Sequence, residues 1–527
     1  MCRNDEENQR PSDGWWTVTS SGGTEADVAR PADELSLAVH RIFTASKDML
    51  LFDGEDGHPA TPLCHADGLA KAFTMRGLTR RRRVVAVIGA DALSSGLGWE
   101  ALNSIGAAPA RPVVVVLHDD GEAYTPAQGG LTRHLAELKR AAAGLTASRI
   151  PVQRQGKPLR NNLFTDLGFV YIGPVDGRDT DALERALRRA ATVGRPALVH
   201  CVTRAGHASS DAIPTQSAPK RRRTRTRRTW ASVFESELAA IGETREDVVC
   251  VTAGTGVGAF ATRFPGRVFD VGTAEPHAIG SAAGLALGGA RPVVTVRADA
   301  LTRAFDRLLA DVARQRLPVT VALDHAGLTD QGGHGMWDPA ALATVPGLRL
   351  AAPRDTVRLR ELLRHAVERD TGPTVLRFPP GAAPLDVPAV RSLGSCDVLR
   401  EAAEPDVVLV ATGALAQPCV AAAESLAPHG IDVTVLDPRW TVPVDPALIK
   451  LLAPHRMAVV AEETTAIGGL GARLAQALAA AGSGTRIVTQ ALPPRFPLPA
   501  TRDELLRACS LDATGIAHVV CTLLGRG

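Results

Sequence analysis

The sequence lacks Cys-x-x-Cys pairs, long apolar runs and a strong charge imbalance. Its eight cysteines are scattered over 527 residues, which fits a reduced cytoplasmic protein better than a disulfide framework. No apolar stretch approaches the roughly 18 residues of a membrane-spanning helix. The polar start MCRNDEENQR lacks the apolar core of a signal peptide. With 59 Lys and Arg against 56 Asp and Glu, the net charge of +3 indicates no polyanionic partner. We therefore expect a cytoplasmic protein that binds neither a membrane nor nucleic acid.

One basic segment interrupts this balance at residues 220–228, KRRRTRTRR. A nucleic-acid patch or an acidic-lipid contact is one interpretation, but no aromatic residue is interleaved within the run. The segment also lies between two predicted domains, which favours a solvated linker.

The length and the pattern of apolar residues predict three α/β domains. A chain of 527 residues is too long for one hydrophobic core. Residues 84–88 (VVAVI) and 113–117 (VVVVL) have the pattern of buried strands, and similar runs recur at 248–252, 292–296 and 319–324. Helical stretches separate these runs, so we expect parallel sheets with right-handed crossovers. The tail, residues 505–524, has a helical pattern.

The stretch from residue 269 to residue 284 places Glu275 between a strand and a helix of small residues. A carboxylate at this junction lies where an α/β sheet presents its ligands, at the carboxyl end of a strand. The alternative is that Glu275 only complements the helix dipole.

Four spaced motifs resemble one enzyme family. The words FDVG-x-AE-x-HA, AAGLA-x-GG-x-RPVV, RAFD and DVA-x-Q-x-LPV are similar to the pyrimidine-binding domain of the 1-deoxy-D-xylulose-5-phosphate synthases, which use thiamine diphosphate. The resemblance implies two doubly wound parallel-sheet domains that bind thiamine diphosphate and a third, transketolase C-terminal-like α/β domain. These correspond to residues 1–215, 229–388 and 395–527, with a basic linker at 216–228. It also implies a homodimer.

The resemblance assigns the acid chemistry to Glu275. In this family the corresponding glutamate hydrogen-bonds the aminopyrimidine ring of the cofactor and helps it deprotonate the thiazolium carbon. His277 and Arg303, in the same group of motifs, are implied as cofactor contacts.

The turn after residues 84–88 resembles the family's diphosphate-binding turn. Gly89, Asp91 and Ala92 are the implied cofactor contacts, but Ala90 stands where the family has its metal-binding aspartate. A methyl group cannot coordinate Mg²⁺, which requires oxygen ligands.

A set of acids near this turn offers a substitute magnesium site. Asp91, with Asp119 or Asp120 and with Glu122, can rebuild the oxygen cage, and we take Asp91, Asp120 and Glu122 as the candidate ligands. The alternative is that they are strand-end acids that face water.

Two histidines resemble family residues near the substrates. His58 lies where two family segments are fused into Gly-His-Pro-Ala-Thr, and His334 lies in a shortened version of the family's substrate loop. The resemblance makes both candidate catalytic residues. A loop histidine without a role and a surface Gly-rich loop are the alternatives. Thr24 stands where the family has a further histidine.

The second predicted domain departs from the family pattern at three more positions, one at the cofactor ring and two at the substrate end. Ala300 replaces a phenylalanine that stacks on the pyrimidine ring, which loses about 1 kcal/mol of aromatic contact. His325 and Pro380 replace two arginines that hold the acceptor's phosphate, and neither offers a permanently charged, bidentate fork.

These patterns lead to three hypotheses about function. The first is an enzyme of this family that condenses pyruvate with an aldehyde, with an acceptor that can lack the phosphate. The second is a catalytically impaired relative that acts as a binding or regulatory partner. The third, a two-oxoacid dehydrogenase component, is disfavoured because one chain carries all three domains in the synthase order.

Overall fold

A computed structural model describes most of the chain: residues 18–19, 34–44, 47–53, 60–78, 82–120, 129–143, 162–203, 228–330, 335–384, 386–497 and 500–526. The chain divides into two compact units, Met1–Thr215 and Gln216–Gly527. None of the helices described in these ranges is long and apolar enough to cross a bilayer. The basic run at 220–227 lies outside the described residues.

The first unit is a parallel sheet with helices on both faces. Its strands run in the order β1-β2-β3-β4-β6-β5, and every neighbouring pair is parallel. The strands are β1 (Val18–Thr19), β2 (Met49–Phe52), β3 (Val84–Gly89), β4 (Val113–Asp119), β5 (Val170–Asp176) and β6 (Ala197–Val202). The helices are α1 (Glu34–Ile42), α2 (Thr61–Met75), α3 (Gly96–Gly106), α4 (Gly130–Ala143), α5 (Leu163–Asp166) and α6 (Thr180–Thr192).

Strands β3 and β4 lie in the middle of the sheet because residues 84–88 and 113–117 are all apolar. Alternate side chains enter opposite cores: Val84 and Ala86 pack with α2 and α3, whereas Val85 and Val114 pack with α1 and α6. A strand covered on both faces needs continuous β-branched residues, and each buried Val contributes about 1.5–3 kcal/mol. The sheet therefore presents its strand ends, and not its faces, to ligands.

The second unit begins with a seven-stranded sheet in the order β17-β11-β12-β10-β9-β7-β8. Its first six strands in the chain are β7 (Val248–Ala253), β8 (Val268–Asp270), β9 (Arg291–Arg297), β10 (Thr320–Asp324), β11 (Arg349–Ala351) and β12 (Thr374–Arg377). Its helices are α7 (Trp230–Thr244), α8 (Gly258–Arg263), α9 (Glu275–Leu287), α10 (Leu301–Arg307), α11 (Asp338–Leu342) and α12 (Thr356–Glu368). A π-helical turn, Leu308–Ala313, extends α10.

The rest of the second unit forms a mixed sheet in the order β13-β14-β16-β15-β18-β19. The strands after β12 are β13 (Arg391–Leu393), β14 (Cys396–Arg400), β15 (Val407–Ala411), β16 (Val433–Asp437), β17 (Trp440–Val442), β18 (Met457–Thr465) and β19 (Arg486–Leu492). The helices are α13 (Ala416–Leu426), α14 (Pro446–Leu452), α15 (Leu470–Ala480), α16 (Arg502–Ala508) and α17 (Ala513–Leu523).

Strand β17 joins the two sheets of the second unit. It follows β16 in the chain but pairs antiparallel with β11, with Leu350 opposite Val442 and Ala351 opposite Trp440. The residues after β16 therefore complete the preceding sheet, and the predicted second and third domains share one framework.

The tail differs from its predicted single helical segment. Two helices, α16 and α17, are separated at Ser510, whose φ of 56° lies in the left-handed region. A left-handed residue cannot continue a right-handed helix, so the chain turns there. Helix α17 then packs Ile516 and Val520 into the core that α13 covers.

Glu462 gives this region a pH-dependent stability. It caps α15, because the preceding Gly469 has no capping side chain: Glu462 Oε2 accepts from Leu470 N at 2.6 Å and Oε1 accepts from Gly471 N at 3.2 Å. Burial raises the pKa of Glu462 from 4.5 to about 7, although these two N–H groups and Arg473 oppose the rise.

The first prediction concerns this carboxyl group. Because its folded pKa exceeds its unfolded value, its contribution to stability is complete below pH 4.5 and is lost as pH rises to about 7. The loss is up to about 3 kcal/mol. Glu462→Gln cannot titrate, so its free energy of unfolding in urea should fall less between pH 5 and pH 8 than that of the wild type. Parallel pH profiles for the two proteins would contradict the assignment.

Candidate functional site

The carboxyl edge of the second unit's first sheet holds a buried acid. Glu275 is the first residue of α9 and is 3 % exposed. Pro276 follows in the first turn of the helix, where a missing N–H costs nothing. The carboxylate therefore lies at the positive end of α9, just after β8. This is the strand-to-helix junction that the sequence predicts.

Arg303 fixes the orientation of that carboxylate. It lies on α10, after β9, and its Nε donates to Glu275 Oε2 at 3.0 Å while its Nη2 donates to Oε1. A bidentate fork defines the plane of the carboxylate. It uses two of about four acceptor positions on the two oxygens, so Glu275 can still accept from a ligand. Arg303 is thus a direct partner of the acid, a contact that the sequence does not reveal.

Two buried hydroxyls lie in the turns that follow β7 and β8. The turns after β7 and β8 are joined by a hydrogen bond from Gly254 N to Gly272 O at 2.8 Å. One residue further in each turn, the Oγ1 atoms of Thr255 and Thr273 are buried and have no hydrogen-bond partner among the described residues. A buried hydroxyl without a partner is costly, so these two atoms are candidates for contact with an ordered water molecule or a bound group. Sequence reasoning missed both threonines; their places at the ends of neighbouring strands were the available signal.

Three more of the predicted residues lie in the turns or helices that follow strands of this sheet. Ala300 is buried in the turn before α10, whereas His277 is exposed on the first turn of α9. His325 follows β10 with a φ of 58°, and its backbone N–H donates to Asp324 Oδ1 at 2.7 Å. The loop histidine, His334, lies outside the described residues.

In the first unit, the turn after β3 contains the predicted diphosphate contacts. Gly89 ends β3, and Ala92 donates its backbone N–H to Asp91 Oδ1 at 3.0 Å. Burial raises the pKa of Asp91, and the charge of Asp120 at the end of β4 raises it further. Asp91 and Asp120 therefore lie within electrostatic reach of each other.

The described residues do not complete a magnesium site. Within the described ranges no group of three His, Cys, Asp or Glu side chains is arranged to hold a metal ion. Glu122, the third predicted ligand, and His58 both lie outside those ranges. Two neighbouring carboxylates suit a hard cation but are too few to bind it alone.

A buried polar network lies beside Asp120 and was not predicted. Tyr171 Oη and His200 Nδ1 are 2.7 Å apart, His200 Nε2 and Asp119 Oδ2 are 3.1 Å apart, and Lys139 Nζ donates to Asp119 Oδ1 at 3.0 Å. Burial alone raises the pKa of Asp119, but His200 and Lys139 outweigh it and lower the pKa to about 2. The network ties β4, β5, β6 and α4 together at the end of β4.

Comparisons with known proteins identify the family. Family models match three parts of the chain: 1-deoxy-D-xylulose-5-phosphate synthase at residues 54–203, the transketolase pyrimidine binding domain at 226–384 and the transketolase C-terminal domain at 394–516. The 1-deoxy-D-xylulose-5-phosphate synthase of Thermobifida fusca is 40% identical, covering 94% of this chain and 90% of that protein. The chain belongs to the 1-deoxy-D-xylulose-5-phosphate synthase family.

Other relatives agree with this assignment. The 1-deoxy-D-xylulose-5-phosphate synthase 1 of Kitasatospora griseola is 41% identical over 92% of this chain and 87% of its own length. The enzyme of Saccharopolyspora erythraea is 41% identical over 92% and 88%, respectively. A solved structure described as "Split gene transketolase, inactive beta4 tetramer" matches 55% of this chain and 96% of its own, with 28% identity and a TM-score of 0.49.

The 1-deoxy-D-xylulose-5-phosphate synthases are transferases that depend on thiamine diphosphate and serve isoprenoid precursor biosynthesis. The sequence resemblance predicts that this chain keeps the family's acid as Glu275 and departs from the family pattern at Ala90, Ala300, His325 and Pro380.

Proposed function

We propose that this chain is a thiamine-diphosphate-dependent transferase that condenses pyruvate with an aldehyde. The observation that carries the proposal is the buried Glu275 carboxylate, held in one orientation by Arg303 at the end of a parallel sheet. The hydroxyls of Thr255 and Thr273, in the turns after β7 and β8, have no partner among the described residues and suit the polar edge of a heterocyclic ring. An acid that only capped α9 would not need a second helix to fix its orientation.

The second unit carries the residues of the proposed acid chemistry. When bound, thiamine diphosphate supplies the electron sink that stabilises the carbanion left by the loss of CO₂. Glu275 accepts or returns a proton at its carboxylate, Arg303 fixes that carboxylate, and Thr255 and Thr273 provide hydroxyl groups for orientation. In the first unit, the turn from Gly89 to Ala92 is the proposed support of the diphosphate.

The residues predicted to hold the acceptor's phosphate are changed, which favours an acceptor other than the family's phosphorylated aldehyde. His325 and Pro380 take the place of two guanidinium groups, so a phosphorylated aldehyde loses two charge-assisted contacts. We therefore propose an aldehyde without a phosphate as the preferred acceptor. His58 and His334 remain the candidate histidines at the substrate end.

The proposed magnesium ligands are Asp91, Asp120 and Glu122. Asp91 and Asp120 are close enough for the charge of one to raise the pKa of the other, and a divalent cation would relieve that repulsion. His277 remains a proposed cofactor contact. We also propose a homodimer in the cytoplasm; Leu287 and Leu309, exposed on α9 and on the turn after α10, suit a further protein contact.

Calorimetric titration of the full chain with thiamine diphosphate tests the proposal. We expect binding that strengthens when Mg²⁺ is added, and Asp120→Ala should weaken the binding in Mg²⁺ by tenfold or more, about 1.4 kcal/mol. The matched control, Glu100→Ala, removes an exposed acid of α3 and should bind as the wild type does. Pyruvate decarboxylation assayed against phosphorylated and unphosphorylated aldehydes then identifies the acceptor.

The same titration decides the second candidate function. A binding or regulatory partner without catalysis is favoured by Ala90, which removes a metal ligand, and by the lack of a three-ligand group within the described ranges. No binding at millimolar cofactor would overturn the enzyme proposal and support the non-catalytic one.

A further inference from the structure

Glu463 of β18 contacts the segment that follows β10, whose described parts are residues 325–330 and 335–336. Its Oε1 accepts from the backbone N–H of Leu328 at 2.6 Å, and the side chain is buried. Gly327, with a φ of 81°, passes so close that a Cβ there would lie 2.3 Å from Glu463 Oε1. Only glycine fits this position. A carboxylate from the transketolase C-terminal region thus accepts a hydrogen bond from the backbone of Leu328, which follows β10 at the carboxyl edge of the sheet that carries Glu275.

Arg502, the first residue of α16, holds the same segment. Its Nη2 donates to Glu463 Oε2 at 2.6 Å, and its Nη1 donates to Leu328 O at 2.7 Å. Its backbone N–H donates to Asp330 Oδ1 at 2.5 Å. Leu328 is therefore held at both its N–H and its C=O by one ion pair.

Gly335 and Met336, at the C-terminal end of this segment, are held as well. Thr464 Oγ1 donates to Met336 O at 2.6 Å, and Arg377 Nη2 donates to Gly335 O at 3.2 Å. Arg377 is itself fixed by Asp338, whose Oδ2 accepts from Nε at 2.8 Å. Both described ends of the segment thus depend on side chains at neighbouring positions of β18, and on β12 and α16.

The held segment contacts the turn that leads to Arg303. Gly327 N donates to Gly335 O at 2.7 Å, which joins the two ends. Gly335 packs on Ala298 so closely that a Cβ at 335 would lie 2.3 Å from Ala298 Cβ. Ala298 begins the turn before α10, the helix that carries Arg303. A continuous set of contacts therefore runs from Arg502 to the turn before the helix that orients Glu275.

The chemistry of this ion pair favours a positioning role. A buried ion pair is a weak source of stability, because desolvation offsets most of the attraction. Both members of the pair also hydrogen-bond the backbone of Leu328: Glu463 accepts from its N–H, and Arg502 donates to its C=O. The effect of the pair is therefore to fix that backbone. Since the segment follows β10 at the edge where β8 and β9 present Glu275 and Arg303, its position shapes the substrate end of the site.

We propose that Arg502 and Glu463 are positioning residues for the aldehyde acceptor, acting through the backbone of Leu328 to Asp330. The proposal rests on the function proposed above. Loss of the pair should raise the KM for the aldehyde about tenfold or more, because a backbone displaced by even 1 Å misplaces the groups that orient a substrate. The affinity for thiamine diphosphate and the KM for pyruvate should stay within twofold.

The experiment compares Arg502→Met with Arg502→Lys and Glu463→Gln in the full chain. Steady-state kinetics give the KM of each substrate, and hydrogen exchange followed by mass spectrometry gives the protection of the peptide that contains Leu328, relative to the β10 strand. We expect faster exchange at Leu328 and a raised aldehyde KM in Arg502→Met, with partial rescue in Arg502→Lys. Arg507→Met, on the exposed face of the same helix, is the matched control and should change neither.

The outcomes separate this proposal from the function on which it rests. An active enzyme whose aldehyde KM is unchanged in Arg502→Met overturns the positioning role alone, and so does unchanged exchange at Leu328. Exchange that accelerates equally in β10 indicates general destabilisation and overturns it too. A wild-type chain that binds no thiamine diphosphate overturns the proposed function, and the acceptor role with it.

Discussion

Replacing Glu275 by glutamine is expected to lower kcat by about 10²- to 10⁴-fold, the usual contribution of a general acid or base. Glutamine keeps the size of the side chain and can still accept one hydrogen bond from Arg303, but its amide neither takes nor returns a proton. The measurement is the rate of CO₂ release from pyruvate at saturating thiamine diphosphate, Mg²⁺ and aldehyde. The affinity for thiamine diphosphate should change far less than kcat.

Glutamine separates chemistry from folding better than alanine does. Glu275→Ala would remove the carboxylate that pairs with the largely buried Arg303 guanidinium and would destabilise the sheet edge. The matched control is Asp306→Asn, an exposed acid on α10 three residues beyond Arg303, which should keep the wild-type rate. A Glu275→Gln enzyme with an unchanged kcat would exclude Glu275 as the acid-base residue and leave it as a cap of α9.

The strands and helices were the most predictable part of this protein, because each depends on local pattern. Residues 84–88 were predicted as a buried strand, and β3 spans Val84–Gly89. The junction at Glu275 was predicted for the same reason, since β-branched residues, a glycine turn and a run of small residues follow in order. The break between α16 and α17 was not predicted, because a left-handed Ser510 leaves no apolar signature.

Contacts between distant segments were beyond prediction. Arg303 and Glu275 are 28 residues apart, and the hydrogen bond from the backbone N–H of Leu328 to the Glu463 carboxylate joins positions 135 residues apart. Nothing in either local sequence indicates that the side chains meet. Strand β17 shows the same limit, since its pairing with β11 depends on how two sheets pack and not on its own three residues. The proposed metal ligands Asp91 and Asp120 were chosen by their positions at strand ends, and their proximity follows from parallel pairing of β3 and β4.

Arg354 is the residue whose loss should destabilise the second unit most. It precedes α12, is 3 % exposed and contacts three acids. Its Nη1 donates to Asp397 Oδ2 at 2.6 Å and to Asp437 Oδ2 at 2.7 Å, and its Nε lies 3.3 Å from Asp355 Oδ2. Asp397 belongs to β14 and Asp437 to β16, so one guanidinium links the pyrimidine-binding region to the transketolase C-terminal region.

Arg354→Met is expected to lower the free energy of unfolding by about 3–5 kcal/mol, measured by urea denaturation at pH 8. Methionine fills much of the volume but leaves buried carboxylates without their shared partner. The matched control is Arg391→Met, which breaks an exposed pair with Glu401 and should cost no more than about 1 kcal/mol. Equal losses in the two variants would show that Arg354 contributes no more than a surface pair.

The pH dependence of this loss distinguishes unpaired charge from a simple packing defect. Burial already raises the pKa of Asp437 to about 7 in the presence of Arg354. Without the guanidinium, the folded pKa of Asp437 rises further above its unfolded value, so the variant takes up the proton at a higher pH than the wild type does. The variant therefore gains stability relative to the wild type as pH falls from alkaline values to about 7, and it keeps that gain at lower pH. The difference between Arg354→Met and wild type should therefore be smaller at pH 5.5 than at pH 8. A difference that is constant across this range would assign the loss to packing, because the removal of side-chain contacts alone does not titrate.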